Sequence, residues 1–377
     1  MHFFIKHKDL NILKFKLVQN YADPEILIEW VNEEFREFLP LDLELTNEGV
    51  AKWLKHRTIP RNRAYVNNFL SKCGLSINRP MDIIFVSMGL SLNDVYWVVE
   101  EGFDGCFDRY NLYENNFSQI LALIAFTGYG SSIRSSLASC PEFTTNGNLP
   151  KCWRRESGKV YLYKGGTSGA SNTGNEPYSE YYASQIAKAM GINAIDYSIK
   201  KWSGELCSVC EIFSGLDYSF VPVGRLVTKG GMEAVRAFYE GLGPEFVDAL
   251  NEMLVFDAVI CNTDRHFGNF GVLVDNKTNK IVCPAPLFDH GNSLFNFAGG
   301  LDLESSEAFQ EYVDTLMPAT YDDFISAAKM VMTDKTREQV RHLLNNKIKK
   351  NSRYNVSNER YKLINSQIIK RAKLLLE

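Results

Sequence analysis

A chain of 377 residues with 45% hydrophobic and 12% aromatic content can bury a large core, and its length fits two or three domains. The formal net charge of -4 provides no global basic field to draw the protein onto nucleic acid or an anionic membrane, so direct DNA binding is not expected. No run approaches the roughly 20 apolar residues that span a bilayer, "MHFFIKHKDL" lacks the apolar core of a secretory signal, and eight dispersed Cys are too dilute for a disulfide scaffold; a cytoplasmic protein without membrane association is expected.

Residues up to about Asp108 read as helical segments with one strand-like run. In "DPEILIEWVNEEFREFL", Ile26, Trp30, Val31 and Phe35 fall on one face of a helix. "TNEGVAKWLKHRTIPRNRAYVNNFLSKCGL" reads as two short helices broken before Pro60. Its Lys55, His56, Arg57, Arg61 and Arg63 read as a solvated basic face, because no base-reading helix follows. "GLSLNDVYWVVEEG" then reads as a turn, a helix start and an aromatic-rich packing segment.

From about Tyr110 to Ile212 the texture changes to strands with Gly-rich turns. "FTTNGNLPKCW" supplies Thr144, Thr145, Asn146, Gly147 and Asn148 as turn chemistry, and "KVYLYKGG" is a β-rich run ending in Lys164. After the mobile-looking "GGTSGASNTGNEP", the segment "YSEYYASQIAKAMGI" predicts a helix stopped by Gly191, with Glu180 in its first turn. "ELCSVCEIF" is the only C-x-x-C; without a second ligand pair, Cys207 and Cys210 read as thiols on a strand rather than a zinc site. The remainder is mostly helical, led by "PEFVDALNEMLVFDAVI".

The chemistry concentrates in "CNTDRHFGNF". Downstream, "FGVLVDNKTNKIVCPAPLFDHGN" reads as a hairpin turning at residues 275–279, which brings Asn269 before its first strand close to Asp289 after its second. Asp and Asn oxygens are hard ligands suited to Mg²⁺, and Asp264 is placed to accept a proton. Asp264 and Asn269 reproduce the D-x-x-x-x-N of a protein-kinase catalytic loop, and Asp289 with His290 and Gly291 takes the place of D-F-G. Lys164 on a strand and Glu180 on the next helix follow in the required order, and backbone groups of Glu211 and Phe213 could meet an adenine edge. No P-loop, H-E-x-x-H or G-x-S-x-G is present, so the nucleotide would sit under the turn from Thr144 to Lys151.

These residues resemble the HipA-like serine/threonine kinases of bacteria, on "NTDRHFGNFGVL" and "APLFDHGNSL", supported by "YLYKGG", "YSEYYASQIA" and "CEIF", over roughly Phe117 to Glu377. The resemblance implies an α+β, bilobal protein-kinase-like (HipA-like) fold with a mostly helical N-terminal extension, ATP lying between the lobes. It makes Asp264 the catalytic base, Asn269 and Asp289 the Mg²⁺ ligands, Lys164 a phosphate contact oriented by Glu180, and Asn146, Gly147 and Lys151 parts of a phosphate-covering loop. His266 would be structural. Thr144 and Thr145 could be autophosphorylated, though turn-stabilising hydroxyls are the commoner reading. The expected organisation is an extension over residues 1–110, a β-rich nucleotide lobe over 111–213 and a helical catalytic lobe over 214–377. The expected function is Mg²⁺-ATP-dependent transfer to a protein Ser or Thr, with a protein substrate and, as in toxin–antitoxin pairs of the family, an antitoxin-like partner. The alternatives are a small-molecule kinase, a metal-dependent phosphodiesterase using His266 and His290, and a catalytically silent binding protein.

Overall fold

The structure, a computed structural model, describes residues 1–133, 139–169 and 174–377. The centre of the Gly-rich segment expected to be mobile, residues 170–173, lies outside the described residues. In chain order the elements are β1 (His2–His7), β2 (Leu10–Gln19), β3 (Glu25–Val31), α1 (Asn47–Lys55), α2 (Val66–Lys72), α3 (Pro80–Ser87), β4 (Tyr96–Glu100), α4 (Phe107–Tyr110) and α5 (Gln119–Thr127). There follow β5 (Lys151–Glu156), β6 (Lys159–Gly165), α6 (Glu176–Met190), β7 (Ser198–Trp202), β8 (Glu205–Glu211), β9 (Tyr218–Pro222), α7 (Val223–Leu226), α8 (Gly231–Leu242) and α9 (Pro244–Ile260). The chain ends with β10 (Gly271–Asp275), β11 (Lys280–Pro284), α10 (Ser306–Asp314), α11 (Phe324–Val331), α12 (Asp334–Arg341) and α13 (Asn358–Leu376). Two compact units result: the first is Met1–Lys164 with Glu211–Val221 and Leu273–Val282, the second Gly165–Cys210 with Pro222–Val272 and Cys283–Glu377.

The first unit opens with an antiparallel sheet in the order β3-β2-β1-β4. Its inward residues Ile5, Phe15 and Ile26 pack against Val50, Trp53 and Leu54 of α1 and Met81 and Ile84 of α3. The helix expected around Trp30 is instead strand β3, followed only by a single 3-10 turn at Arg36–Phe38. "EILIEWV" is rich in β-branched and aromatic residues, and the ladder pairs Ile26 with Leu17 and Ile28 with Phe15, satisfying a two-residue period that competes with the helical one. Likewise β4 occupies the segment read as aromatic packing. The amino-terminal segment is therefore mixed, with strand as prominent as helix rather than mostly helical. Helices α1 and α2 stand where expected, α1 capped by Thr46, whose side chain accepts from the Gly49 N–H.

The basic stretch is not a solvated face. Lys55, His56 and Arg61 are exposed, but Arg57 and Arg63 are buried. Arg57 forms a two-pronged ion pair with Asp94 at 2.8 and 2.9 Å and donates to the Gly89 and Tyr96 carbonyls. A guanidinium can enter a core because its five donors satisfy several acceptors at once. Helix α5, absent from the sequence reading, is an apolar run capped by Ser118.

In the second unit α9 is the central helix, buried continuously from Asn251 to Ile260 and packed by α8, α11 and α13. Helix α6 begins at Glu176, so Glu180 lies in its second turn rather than its first, and Gly191 ends it in the left-handed region at φ +70°. Among the described residues, no helix is long and apolar enough to cross a membrane.

Candidate active site

Helix α9 ends at Cys261, itself left-handed at φ +50°, and releases the chain into the loop of residues 262–270. That loop is locally braced. The Asn262 side-chain oxygen accepts from the Asp264 N–H at 3.1 Å, the Asp264 carbonyl accepts from the His266 N–H at 2.8 Å, and the Asn269 N–H reaches the His266 carbonyl at 2.9 Å. Exposed His266 accepts from the Gly268 N–H through Nδ1 at 3.0 Å, a turn-stabilising contact.

Two oxygens emerge from this bracing without partners. The Asn269 amide nitrogen donates to the Asp264 carbonyl at 3.1 Å, which orients the amide and leaves Oδ1 without a hydrogen bond among the described residues. The half-buried Asp264 carboxylate accepts from Asn292 Nδ2 at 3.1 Å through Oδ2, and its Oδ1 has no hydrogen bond among the described residues. Asn292 is held in turn because its carbonyl accepts from the Thr263 N–H at 3.0 Å.

Fully buried Arg265 joins this loop to the Asp289 segment. Its Nε and Nη2 donate to the two oxygens of Asp257 at 2.9 and 3.0 Å. Nη1 donates to the Asn269 carbonyl at 3.0 Å and the Phe288 carbonyl at 2.7 Å. Nη2 meets His290 Nδ1 at 3.0 Å. All five donors are used. Because arginine offers no acceptor, His290 Nδ1 must accept, which makes His290 a neutral imidazole with its proton on Nε2. The base of the β10–β11 hairpin closes beside this clamp, the Ala285 N–H donating to the Gly271 carbonyl at 3.0 Å.

Burial pushes the Asp257 carboxyl up, opposed by the Arg265 charge and its hydrogen bonds. Burial works against the Arg265 charge too, but Asp257 more than offsets it and holds the guanidinium above its usual value. Two-pronged geometry and the strong basicity of arginine make the ionised pair the operative state. Arg265 thus pairs with Asp257 and not with its sequence neighbour Asp264.

Asp289 sits at φ +57°, a left-handed conformation that a non-glycine residue adopts at a cost of about 1–3 kcal/mol. The surrounding backbone is pinned: the Asp289 N–H donates to the Tyr197 hydroxyl at 3.2 Å and the His290 N–H to Glu180 Oε2 at 2.8 Å. Burial, then the neighbouring Glu180 charge, pushes the Tyr197 phenol far up, so it stays neutral. Glu180 is fully buried.

The second unit therefore brings Glu180, Asp264, Asn269 and Asp289 into one bonded neighbourhood, whereas Asn146, Gly147, Lys151, Lys164, Glu211 and Phe213 belong to the first unit. There, buried Lys151 and Lys164 are direct partners across β5 and β6, and residues opposite one another in an antiparallel pair share a face. Lys151 Nζ donates to the Asn146 carbonyl at 2.9 Å, curling over Gly147 at φ +93°, where any Cβ would collide with that ammonium. The Glu211 side chain accepts from Lys159 at 2.8 Å, and the Phe213 ring packs edge-on against Phe220 at 5.3 Å. Thr144 is buried and donates to the Leu90 carbonyl at 2.8 Å; Thr145 donates to the Pro141 carbonyl at 2.6 Å. Both hydroxyls have structural duties.

Sequence reasoning missed Arg265, Asp257, Asn292 and Tyr197. One signal was present: Asp257 is the only charge in the ten-residue buried end of α9 after Glu252, and a buried carboxylate calls for a cationic partner nearby. Among the described residues no group of three or more His, Cys, Asp or Glu is arranged to hold a metal, and the Cys207 thiol on β8 donates to the Lys200 carbonyl at 3.4 Å.

No protein-family model matches the chain, and no curated protein matches it in sequence. Solved structures do. The chain is similar to HipA of Shewanella oneidensis MR-1, solved as a toxin–antitoxin complex with HipB and operator DNA, at 13% identity over 98% of this chain and 96% of that one, with a TM-score of 0.57. It is also similar to the Helicobacter pylori proinflammatory kinase CtkA, at 16% identity over 62% of this chain and 90% of that one, with a TM-score of 0.49. The fold of the chain is thus the mixed α/β, kinase-like fold of HipA.

Proposed function

We propose that this protein is a HipA-like kinase that transfers the γ-phosphoryl group of Mg²⁺-ATP to a Ser or Thr hydroxyl of a protein substrate. The observation that carries this reading is the Arg265 clamp: it ties the loop bearing Asp264 and Asn269 to the segment bearing Asp289 while leaving one oxygen of Asp264 and the Asn269 side-chain oxygen without hydrogen-bond partners among the described residues. Phosphoryl transfer needs little covalent chemistry from the protein, so rigid positioning of a few oxygens and charges is the main requirement.

Asp264 Oδ1 is the atom available to orient the acceptor hydroxyl and take its proton. Asn269 and Asp289 supply hard oxygen donors that fit a magnesium ion better than a soft metal. When bound, that ion would neutralise phosphate charge. Lys151 and Lys164, buried and opposite one another across β5 and β6, are the candidates to contact the nucleotide phosphates. Glu180 contributes by fixing the His290 backbone. Glu211 and Phe213 remain the candidates for contact with the adenine edge.

A metal-dependent phosphodiesterase finds less support: the Nδ1 atoms of His266 and His290 both accept protein hydrogen bonds, which places a proton on each Nε2 and leaves neither ring a lone pair for a metal, and His290 is fully buried. A small-molecule acceptor differs from a protein one only in what reaches Asp264. An antitoxin-like partner and a cytoplasmic location belong to the same proposal. Labelled ATP, incubated with the protein and cell extract, should label a protein band with the wild type and not with Asp264→Asn. Hydrolysis of phosphodiesters without nucleotide, and no transfer from ATP, would refute the kinase.

A further inference from the structure

The turn from Thr144 to Lys151 lies between α5 and β5 and belongs to no strand over most of its length, so its carbonyls must find partners elsewhere. Three of them do so on two consecutive residues of the amino-terminal segment. Arg63 Nη1 donates to the Thr145 carbonyl at 3.0 Å, Arg63 Nη2 donates to the Lys151 carbonyl in a short contact, and the Ala64 N–H donates to the Asn148 carbonyl at 2.7 Å. One guanidinium therefore spans the two ends of the turn while the adjoining backbone holds its middle.

Arg63 is only 3% exposed. Burial pushes its guanidinium down to about 10, against the attraction of Glu142, and it remains protonated at neutral pH. It makes no ion pair among the described residues; fully buried Glu142 instead accepts from the Trp153 N–H at 2.9 Å. A buried cation thus contacts a turn whose other cationic member, Lys151, already bends over Gly147.

We infer that Arg63 is a positioning residue for nucleotide phosphates: it holds the Thr144–Lys151 turn in its phosphate-receptive shape. This inference rests on the proposed kinase function and extends it by giving the amino-terminal segment a part in nucleotide affinity. Arg63 itself touches no phosphate. Its removal should loosen the turn and weaken nucleotide binding, with little effect on the transfer step once nucleotide is bound.

The test compares full-length wild type, Arg63→Gln, Arg63→Lys and Asp264→Asn. Amide hydrogen exchange in the absence of nucleotide should quicken over residues 144–151 in both Arg63 variants, while β1 and β2 keep wild-type protection. The dissociation constant for a fluorescent ATP analogue with Mg²⁺ should rise by about tenfold in Arg63→Gln, as expected for losing roughly one net hydrogen bond to each carbonyl. Arg63→Lys keeps the charge but cannot span both carbonyls, and should weaken binding by a smaller factor. At saturating ATP, kcat should stay within about twofold of wild type. If Arg63→Gln does not fold, Arg63→Lys decides. Unchanged affinity in a folded variant, or loss of protection throughout β1 and β2 as well, overturns the inference. Asp264→Asn separates it from the function: failure of wild type and Asp264→Asn alike to bind the analogue refutes the kinase reading, whereas equal binding by wild type and the Arg63 variants refutes only the role of Arg63.

Discussion

Replacing Arg265 should dismantle the candidate site from beneath. Its five donors serve Asp257, two backbone carbonyls and His290, all within a fully buried setting. Arg265→Met leaves Asp257 buried without its counter-charge, at a cost of about 3–5 kcal/mol. The stranded Asn269 and Phe288 carbonyls add about 1–3 kcal/mol each, with incomplete additivity. The sum rivals the roughly 5–15 kcal/mol that holds a whole domain together. Arg265→Lys can place three donors at most, so at least two of the five bonds are lost and about 3 kcal/mol should follow. Removing both charges in Asp257→Leu/Arg265→Met should restore about 2–3 kcal/mol relative to Arg265→Met, because no unpaired buried charge then remains, although the two carbonyls, His290 Nδ1 and the Asn262 amide lose their partners. Hydrogen exchange in α9, with increasing urea, reads the second unit separately from the first. A lysine variant as protected as wild type, or a double variant less stable than Arg265→Met, would refute the account of the clamp.

Asp264→Asn should lower phosphotransfer by about 10²–10⁴-fold while leaving the melting temperature unchanged, since the carboxylate is half-buried and has a single 3.1 Å hydrogen bond; a large loss of stability would show a structural role instead. Gly147→Ala should weaken binding of the ATP analogue by about tenfold, through a cost of about 1–2 kcal/mol for a side chain at φ +93° whose Cβ meets Lys151 Nζ. His7, buried between Phe38 and Tyr96, has its pKa lowered to about 4 by burial and then by Lys8. The unfolded state takes up this proton near 6.5 and the folded state only near 4, so the stability associated with neutral His7 is complete above 6.5 and declines as pH falls through that window, by about 3 kcal/mol in all. Denaturant unfolding of wild type and His7→Leu at pH 7 and pH 4.5 checks this: equal pH dependence in the two proteins would exclude His7 as the source.

The site motifs were legible because each depends on neighbours in sequence. D-x-x-x-x-N closes on itself through the Asn269 side chain and the Asp264 carbonyl, five residues apart. The hairpin from Gly271 to Pro284 is announced by its turn residues, and α6 by the glycine that ends it. What holds these pieces in register is not local. The Asp257–Arg265 pair spans a helix end and a loop, and Glu180 reaches the His290 backbone across 110 residues. No spacing rule encodes that second contact; it exists because α6 and the Asp–His–Gly segment pack in the same unit.

The amino-terminal segment was misread for a related reason. Ile26, Trp30 and Val31 satisfy a helical period, yet Ile26 and Ile28 also satisfy a strand period, and the ladder with β2 decides between them through residues that periodicity in one window cannot see. The arginines were misplaced by the same omission. Charge alone puts Arg57 and Arg63 in solvent; what admits them to the interior is a set of carbonyls from Gly89, Tyr96, Thr145 and Lys151, supplied 32 to 88 residues downstream. A lysine, with three donors, could not satisfy the four acceptors around Arg57, and its single nitrogen could not span the two carbonyls that Arg63 bridges, so the choice of guanidinium over ammonium was itself a local hint that these cations face inward.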